Sequence, residues 1–252
     1  MTPTDPIHGD AGALYLPHPG WAEIVLNRPQ RRNAIDGPLA DALADALQRA
    51  ADDRSMSAVL LRGAGGALCS GLDLKAFAAD PPPPWRAGFA ERWRAVHVAL
   101  ATLDKVLVVA LERFAINGGA ALALAGDLLV CGHGAFLQVG EVRLGMEAPN
   151  NLAWLRLRHS EAVAARVALL GDRLDAAALQ RLGVVTEVVP DDEVVARCRA
   201  LAIELSACPP QTVSRMKTRL RSASLGMEAA RWFEQFADPA APPRPPAPIT
   251  RT

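Results

Sequence analysis

The sequence has few cysteines, no excess of charge of either sign and no long uninterrupted run of apolar residues. Lysine and arginine together number 27, as do aspartate and glutamate, so the formal net charge is zero. A chain without a basic excess has no electrostatic means of recruiting nucleic acid or an anionic membrane, and neither partner is expected. The four cysteines include no Cys-x-x-Cys pair, and no histidine lies at zinc-ligand spacing from a cysteine pair, so no metal site is expected.

Membrane insertion and secretion find no support in the pattern of apolar residues. The most apolar part of the chain, 106–130, is interrupted by Glu112, Arg113 and Asp127, which argues against a membrane-spanning helix there. The first residues show no basic segment followed by an apolar one, so a secretory signal is not expected. We therefore expect a cytoplasmic location with reduced thiols. Half of the residues are hydrophobic, which is enough for a sizeable core.

Short apolar segments alternate with amphipathic ones along much of the chain. Strands are predicted at 21–26, 58–63, 106–111, 127–131 and 184–189. Helices are predicted at 38–52, 86–103, 118–126, 160–170, 175–182, 191–206 and 209–236. Strands that alternate with helices predict an α/β chain with mostly crossover connections. Residues 1–13 are predicted to be a loose segment, and the proline-rich end is predicted to be extended or disordered.

Two segments combine the end of a strand with a polar or glycine-containing turn. Residues 27–34 follow a strand with a basic turn, which taken alone is most simply a solvated loop. Residues 69–75 contain Gly71, which lets the backbone turn sharply so that the next N–H can point into a cleft. The alternative is an ordinary strand-to-helix turn with Asp73 near the start of the helix.

Two further segments have residue types suited to charge stabilisation and proton transfer. Residues 116–123 place two glycines at the start of a helix, where free N–H groups can stabilise a negative oxygen, although small residues also serve close helix packing. Residues 137–145 place Glu141 in an apolar stretch. Desolvation there would raise its pKa and make it a better proton shuttle near neutral pH. Taken alone, this segment is better explained by a surface glutamate paired with Arg143.

In their order along the chain, these four segments and a fifth at 169–185 resemble the crotonase superfamily, the family of enoyl-CoA hydratases and isomerases. The first four patterns are N-R-P-x-x-R-N-A, C-S-G-x-D-L-K, G-G-A-x-L-A-L-A-G-D and G-E-x-x-L-G. The resemblance covers roughly residues 20–235. It implies an α/β fold in which ββα units form a spiral, with a helical C-terminal region used for trimerisation, and a homotrimer or a dimer of trimers.

The resemblance also implies a division of the chain into three parts. We predict a spiral core at 1–190, a C-terminal helical region at 191–238 and a proline-rich tail at 239–252. The C-terminal segment lacks the family's usual E-x-x-A-F-x-E-K-R-x-P pattern, so the helix that covers the active site or a neighbouring subunit is expected to be altered.

Family members bind an acyl-CoA thioester and stabilise the enolate that forms when its α-carbon loses a proton or its β-carbon gains a nucleophile. The resemblance assigns the two backbone N–H groups that hold the thioester oxygen, the oxyanion hole, to Leu72 and Gly118. It places Arg31, Arg32 and Ala34 along the adenosine part of CoA and leaves open which arginine binds a phosphate. Coenzyme A enters as part of the substrate, so no separate cofactor is expected.

The hydratases of this family use two glutamates, and this chain keeps one of them. Ala121 occupies the first position and Glu141 the second. The Δ3,Δ2-enoyl-CoA isomerases lack the first glutamate, keep the second and share the run G-E-x-x-L-G-M-x-A-P found at 140–149. We therefore expect an isomerase with Glu141 as its single base and Ala121 at the substrate pocket. Two alternatives remain, an enoyl-CoA hydratase with altered chemistry and a non-catalytic acyl-CoA-binding protein.

Two neighbouring features have both a functional and a structural explanation. Trp85, Phe89 and Trp93 fall where the family walls its acyl pocket, but a helix core explains them equally well. Glu147 lies six residues beyond Glu141 and would be an unusual second carboxylate, although an exposed loop residue is the simpler explanation. The five histidines match no motif and are expected to be structural or exposed.

Overall fold

A computed structural model describes residues 11–237, so the first ten residues and the predicted tail at 239–252 lie outside the described residues. The strands are β1 (Ala13–His18), β2 (Trp21–Leu26), β3 (Ala58–Gly63), β4 (Val106–Leu111), β5 (Phe114–Ile116), β6 (Leu128–Gly132), β7 (Phe136–Gln138), β8 (Arg173–Asp175) and β9 (Glu187–Val189). The helices are α1 (Gly37–Asp52), α2 (Leu74–Phe77), α3 (Phe89–Thr102), α4 (Gly118–Ala125), α5 (Pro149–Arg158), α6 (Glu161–Ala168), α7 (Ala176–Arg181), α8 (Val194–Ser206), α9 (Pro210–Leu225) and α10 (Ala229–Glu234). Short 3-10 helices lie at Pro29–Arg31, Pro84–Arg86 and Glu141–Leu144.

The larger of two sheets has six strands in the order β1-β2-β3-β4-β6-β9. β1 is antiparallel to β2, and every other neighbouring pair is parallel. β2, β3 and β4 are almost wholly buried, as expected for continuous apolar strands in a parallel sheet covered on both faces. The parallel order with helices between strands confirms the predicted α/β class and its crossover connections.

The smaller sheet has the order β5-β7-β8 and was not predicted, because each of its strands is only three residues long. β5 is parallel to β7, and β7 is antiparallel to β8. Glu112 and Arg113 separate β4 from β5. This break lets the chain leave the larger sheet and enter the smaller one.

Helix α1 shows how the local pattern positions an element. Leu39, Leu43 and Leu47 lie on one face and are buried, as their spacing of four predicts. Asp36 accepts a hydrogen bond from the Leu39 amide at 2.9 Å and so caps the helix N-terminus. Pro38 occupies the first turn, where its missing N–H costs no hydrogen bond. The predicted helix at 38–52 is confirmed.

Several predicted boundaries are wrong. The helix predicted at 209–236 is two helices, α9 and α10, because Gly226 adopts φ +64° and ends α9 in the left-handed conformation. The strand predicted at 184–189 is confined to β9, since the turn around Gly183 takes the preceding residues. Strand β1 and helix α5 were not predicted at all.

The C-terminal helical region folds back onto the rest of the chain. α10 packs against α3 and α5, and its Phe233 is almost fully buried. The Phe233 ring lies 5.9 Å from the ring of His97 on α3 and 5.2 Å from that of Trp154 on α5. Within residues 11–237, no helix is both long and apolar enough to cross a membrane.

Candidate active site

Two chain turns meet beside Gly71. This glycine has φ +89°, a conformation that side chains rarely permit. A Cβ built on it would lie 2.9 Å from the Ile116 carbonyl oxygen and 3.7 Å from the Gly118 nitrogen. Only glycine therefore lets the segment before α2 approach the start of α4 this closely.

The hydrogen bonds of its neighbours fix the direction of the Leu72 amide. The neighbouring Gly71 carbonyl accepts from Ile35 N–H, and Asp73 N–H donates to the Ile35 carbonyl, both at 2.8 Å. Because successive peptide groups of an extended segment point in opposite directions, Leu72 N–H points away from Ile35. Gly118 is the first residue of α4, so its N–H has no acceptor inside the helix. Among residues 11–237, neither amide donates to another protein group.

Asn117 holds the turn before α4 in an uncommon backbone conformation. Its φ of 52° and ψ of −117° are rare for a residue with a side chain and cost about 1–3 kcal/mol in general. Its backbone N–H donates to Gln138 at the end of β7 at 2.8 Å. Its side-chain oxygen accepts from Gly140 N–H at 2.9 Å. The turn that carries Gly118 is thus tied to the residue that precedes Glu141.

Glu141 begins a 3-10 helix and is buried, with 8% of its surface exposed. Burial raises the pKa of its carboxyl group to about 7, although hydrogen bonds from its own backbone and from Asn151 oppose the rise. Oε1 accepts from Asn151 Nδ2 at 3.0 Å. Oε2 is buried without a hydrogen-bond partner among the described residues. The expected surface pairing with Arg143 is not formed, because Arg143 donates to the Leu170 carbonyl.

Asn151 on α5 was missed by the sequence analysis. Its only signal is its position two residues beyond the run at 140–149, which does not indicate burial. The side chain is buried, with 2% of the residue exposed, and Nδ2 donates both to Glu141 and to the Asn117 carbonyl, the latter at 3.1 Å. Its Oδ1 is buried and unpartnered among the described residues. The polar groups that meet here therefore come from three separate segments of the chain, which contain Asn117, Glu141 and Asn151.

The arginines of the segment 27–34 differ in how firmly they are held. Arg31 makes two hydrogen bonds to the carboxylate of Asp73, at 2.7 and 3.2 Å. Burial opposes ionisation of Asp73, but the hydrogen bond from Arg31 leads the interactions that lower its pKa. Arg28 also contacts Asp73 and donates to the Ala34 carbonyl. Arg32 is exposed, and its guanidinium has no protein partner among residues 11–237.

Of the remaining predicted site residues, some lie at the candidate site and others lie in the core or at the surface. Ala121 has no exposed surface, and its amide donates to the Asn117 carbonyl at 3.2 Å. Trp93 reaches the site, since its indole Nε1 lies 4.0 Å from the position of a Cβ on Gly118. Trp85 instead packs over Gly37 at the start of α1.

Glu147 is exposed, as its simpler explanation predicts. Within the described part of the chain, no group of three or more His, Cys, Asp or Glu residues could hold a metal ion.

Comparisons with known proteins identify the family. A family model described as enoyl-CoA hydratase/isomerase matches residues 18–237. Carnitinyl-CoA dehydratase of Proteus mirabilis is 32% identical over 205 residues, which cover 80% of this chain and 77% of that protein. The 1,2-epoxyphenylacetyl-CoA isomerase of Escherichia coli is 31% identical over 208 residues, which cover 81% of this chain and 79% of that protein.

Solved structures show the same architecture. The crystal structure of an enoyl-CoA hydratase/isomerase from Xanthobacter autotrophicus superposes with a TM-score of 0.80 at 28% identity and covers 89% of this chain and 84% of its own. The range matched by the family model, residues 18–237, includes both sheets from β2 onward and the C-terminal helices. The chain therefore belongs to the enoyl-CoA hydratase/isomerase family and has the crotonase fold that its spaced sequence segments predict.

Proposed function

We propose that the protein isomerises the double bond of an enoyl-CoA thioester, with Glu141 as its single base. The observation that carries this proposal is the state of Glu141. It is a buried carboxyl group with a pKa of about 7 and one oxygen that has no partner among the described residues, and Ala121 occupies the position of the other glutamate of the hydratases. A group that must accept and return a proton in each turnover works best when its pKa lies near the working pH.

The proposed reaction requires one proton to move and leaves the substrate neither oxidised nor reduced. Glu141 Oε2 takes a proton from C2 of a 3-enoyl thioester, and the C–H electron pair becomes part of a dienolate. The negative charge collects on the thioester oxygen, which Leu72 N–H and Gly118 N–H hold. The protonated Glu141 then returns the proton at C4, and the double bond forms between C2 and C3. Preorganised amides suit this task because they need not reorient as charge develops.

We propose Arg32 as the residue of the segment 27–34 that is available to a CoA phosphate. Arg31 already donates to Asp73 and would have to break a charge-assisted pair to bind one. Arg32 is exposed and has no such pair among the described residues. Ala34 would contribute through its backbone, since its side chain is a methyl group. No cofactor beyond the CoA of the substrate is needed for the proton transfer described above.

Hydration or dehydration is the second candidate function. The names of the relatives include both a dehydratase and an isomerase, so they do not decide between the two reactions. The unpartnered Oδ1 of Asn151 beside Glu141 favours this candidate, because it gives the site a second acceptor for a water molecule. A non-catalytic acyl-CoA-binding protein is a third candidate. The carboxyl oxygen of Glu141 that has no partner among the described residues, on a group with a pKa of about 7, argues against it.

An assay of 3-enoyl-CoA and 2-enoyl-CoA side by side tests the proposal. We expect the wild-type protein to isomerise the first substrate faster than it hydrates the second. In Glu141→Gln, isomerisation should fall about 10²–10⁴-fold, the usual contribution of a general base. Glu147→Gln is the matched control, since Glu147 is an exposed glutamate on the same loop, and it should keep the wild-type rate. A Glu141→Gln variant with the wild-type rate would show that Glu141 is not the base.

We further propose that the chain works as a homotrimer or dimer of trimers in the cytoplasm. The support is the match to the family over residues 18–237, which includes the C-terminal helices. Within the described residues, the C-terminal helix α10 packs against α3 and α5 of the same chain.

A further inference from the structure

We propose that Asn151 is a positioning residue that holds the base Glu141 and the Asn117–Gly118 peptide in one arrangement. The inference rests on the proposed function, because it assigns Asn151 a task for Glu141 and the Gly118 amide. Asn151 lies on α5, outside every sequence segment that matches the family pattern. Its single amide nitrogen donates to both partners, at 3.0 and 3.1 Å.

The hydrogen bond to Glu141 decides which carboxyl oxygen is available. Asn151 Nδ2 uses Oε1, and Oε2 is the oxygen without a partner among the described residues. Without this bond, the carboxyl group could rotate about its last torsion, whose energy profile is broad. The same donor stabilises the charged form of the carboxylate and so limits the effect of burial on it.

The hydrogen bond to Asn117 acts on the oxyanion hole through one peptide group. The Asn117 carbonyl and the Gly118 N–H belong to the same planar unit, in which they point in opposite directions. Holding the carbonyl therefore fixes the direction of the N–H. A carbonyl that accepts a hydrogen bond also makes its own peptide N–H a stronger donor. The backbone of Asn117 is in an uncommon conformation and requires such support.

The second polar atom of the side chain, Oδ1, points to a bound molecule. Oδ1 is buried and has no partner among the described residues, on a residue that is only 2% exposed. Buried acceptors are normally paired, and exceptions concentrate where a water or a ligand completes the set. A side chain that served packing alone would not need an unpartnered oxygen next to Glu141.

Asn151→Leu tests the inference because leucine keeps the number and branching of the side-chain heavy atoms and removes every side-chain hydrogen bond. Asn150→Leu is the matched control, since Asn150 is the adjacent residue and has no side-chain hydrogen bond among the described residues. The first readout is the titration of Glu141 in the free protein, which ¹³C NMR of labelled glutamate monitors. The Glu141 signal is assigned as the one that is absent in Glu141→Gln. We expect the pKa of Glu141 to rise above its wild-type value in Asn151→Leu only.

The second readout is the pH profile of isomerisation in both variants. We expect kcat to fall about 10²-fold at pH 7 in Asn151→Leu, in line with the cost of a small misplacement, and to recover in part at higher pH. KM should change far less. Asn151→Gln, which retains the amide, should restore part of the rate if its longer side chain reaches Glu141. Unfolding curves identify variants that are merely destabilised.

The outcomes separate this inference from the proposed function. An unchanged Glu141 titration in a folded Asn151→Leu protein overturns the inference, whatever reaction the enzyme catalyses. If the Glu141 titration shifts in Asn151→Leu but the wild-type protein does not isomerise 3-enoyl-CoA, the link between Asn151 and Glu141 stands and the proposed reaction is overturned. A fall in kcat that is equal in both leucine variants would also overturn the inference.

Discussion

Glu141 is surrounded by groups that disfavour its charge and by few that compensate for it. It is buried, it accepts one side-chain hydrogen bond and no cation among the described residues pairs with it, which is why its pKa rises to about 7. Asp73 is also buried, yet the hydrogen bond from Arg31 lowers its pKa. The two carboxylates differ because one has an arginine partner and the other has only an amide. That contrast identifies Glu141 as the residue suited to proton transfer and Asp73 as a structural residue.

The raised pKa predicts how stability depends on pH. An unfolded glutamate ionises near 4.5 and the folded Glu141 near 7, so between these values the unfolded chain releases a proton that the folded chain keeps. Folding stability should therefore fall by about 3 kcal/mol as the pH rises through this window and stay level above it. Glu141→Gln should lack this loss and be more stable than wild type at pH 8. Urea unfolding at pH 4.5 and 8 measures the difference in stability between the two proteins. If that difference is the same at both pH values, the prediction is contradicted.

The same pKa predicts the pH profile of activity. Only the ionised carboxylate can accept a proton, so kcat/KM should decline as the pH falls through about 7. The rate at pH 6 should be about tenfold below its plateau at higher pH. A profile measured from pH 5 to 9 tests this, with Glu147→Gln as the control that should keep the same midpoint. An activity that is flat down to pH 5 would mean that the base is a group with an ordinary carboxyl pKa.

Ala121 stands where the hydratases of the family have a glutamate, and a substitution there tests whether that missing carboxylate limits hydration. Ala121→Glu should raise hydration of 2-enoyl-CoA by restoring the second carboxylate of the hydratases. It should also lower stability, because Ala121 has no exposed surface and a buried carboxylate is costly. Ala121→Gln has nearly the same size without the acid, so it should lose stability without gaining activity. Rates and urea midpoints of the two variants separate the chemical effect from the steric one. Equal hydration by both would show that the carboxylate at this position does nothing.

At the scale of elements, Asp127 connects three parts of the fold. It precedes β6 and accepts from Lys217 and Arg221 of α9, at 2.7 and 2.9 Å, and from Arg158 of α5 at 3.3 Å. Burial opposes its ionisation, but Lys217 and Arg221 lower its pKa. The sheet, α5 and the helix α9 thus share one half-buried negative charge, and α5 carries Asn151.

Asp127→Asn should destabilise the protein severely. The substitution keeps the shape and removes the charge, which leaves three cations close together without a counter-charge. Breaking a buried ion pair in this way typically costs about 3–5 kcal/mol. Asp172→Asn is the control, because Asp172 pairs with Arg166 at the surface, where such pairs contribute about 0–1 kcal/mol. Denaturant unfolding of both variants decides the matter, and equal losses would mean that the Asp127 cluster is not a structural centre.

At the scale of the whole molecule, the site lies where the two sheets meet. The break at Glu112 and Arg113 carries the chain from β4 into β5, and β5 leads directly to Asn117 and Gly118. β7 of the same small sheet leads to Glu141. The small sheet therefore delivers the proposed base and one of the two proposed oxyanion amides from adjacent parallel strands, while the segment before α2 delivers the other proposed amide.

The proposed assembly predicts the mass of the protein in solution. Three chains of 26.7 kDa would scatter light as a particle of about 80 kDa, and a dimer of trimers would have about twice that mass. Multi-angle light scattering over a range of protein concentrations measures it directly. A mass of 26.7 kDa at every concentration would contradict the proposed trimer.

The sequence by itself determined the α/β class and most of the elements of the larger sheet, and it led to the prediction of Glu141, Leu72 and Gly118 as site residues. These follow from local patterns: apolar runs, helix caps, and glycines at turns whose spacing matches a family. Strands of three residues carry too little pattern to be recognised, which is why the smaller sheet was missed. The helices α9 and α10 were likewise predicted as one continuous helix, but Gly226 ends α9 in the left-handed conformation.

Only the tertiary structure decided what surrounds those residues. Asn151 meets Asn117 across 34 positions of sequence, and Arg31 meets Asp73 across 42. No local pattern records such pairings, so the sequence left open which arginine is free and showed nothing of Asn151. The pKa of Glu141 has the same origin: it is set by burial and by a single neighbouring amide, and both arise only when α5 packs against the end of β7 and the start of α4.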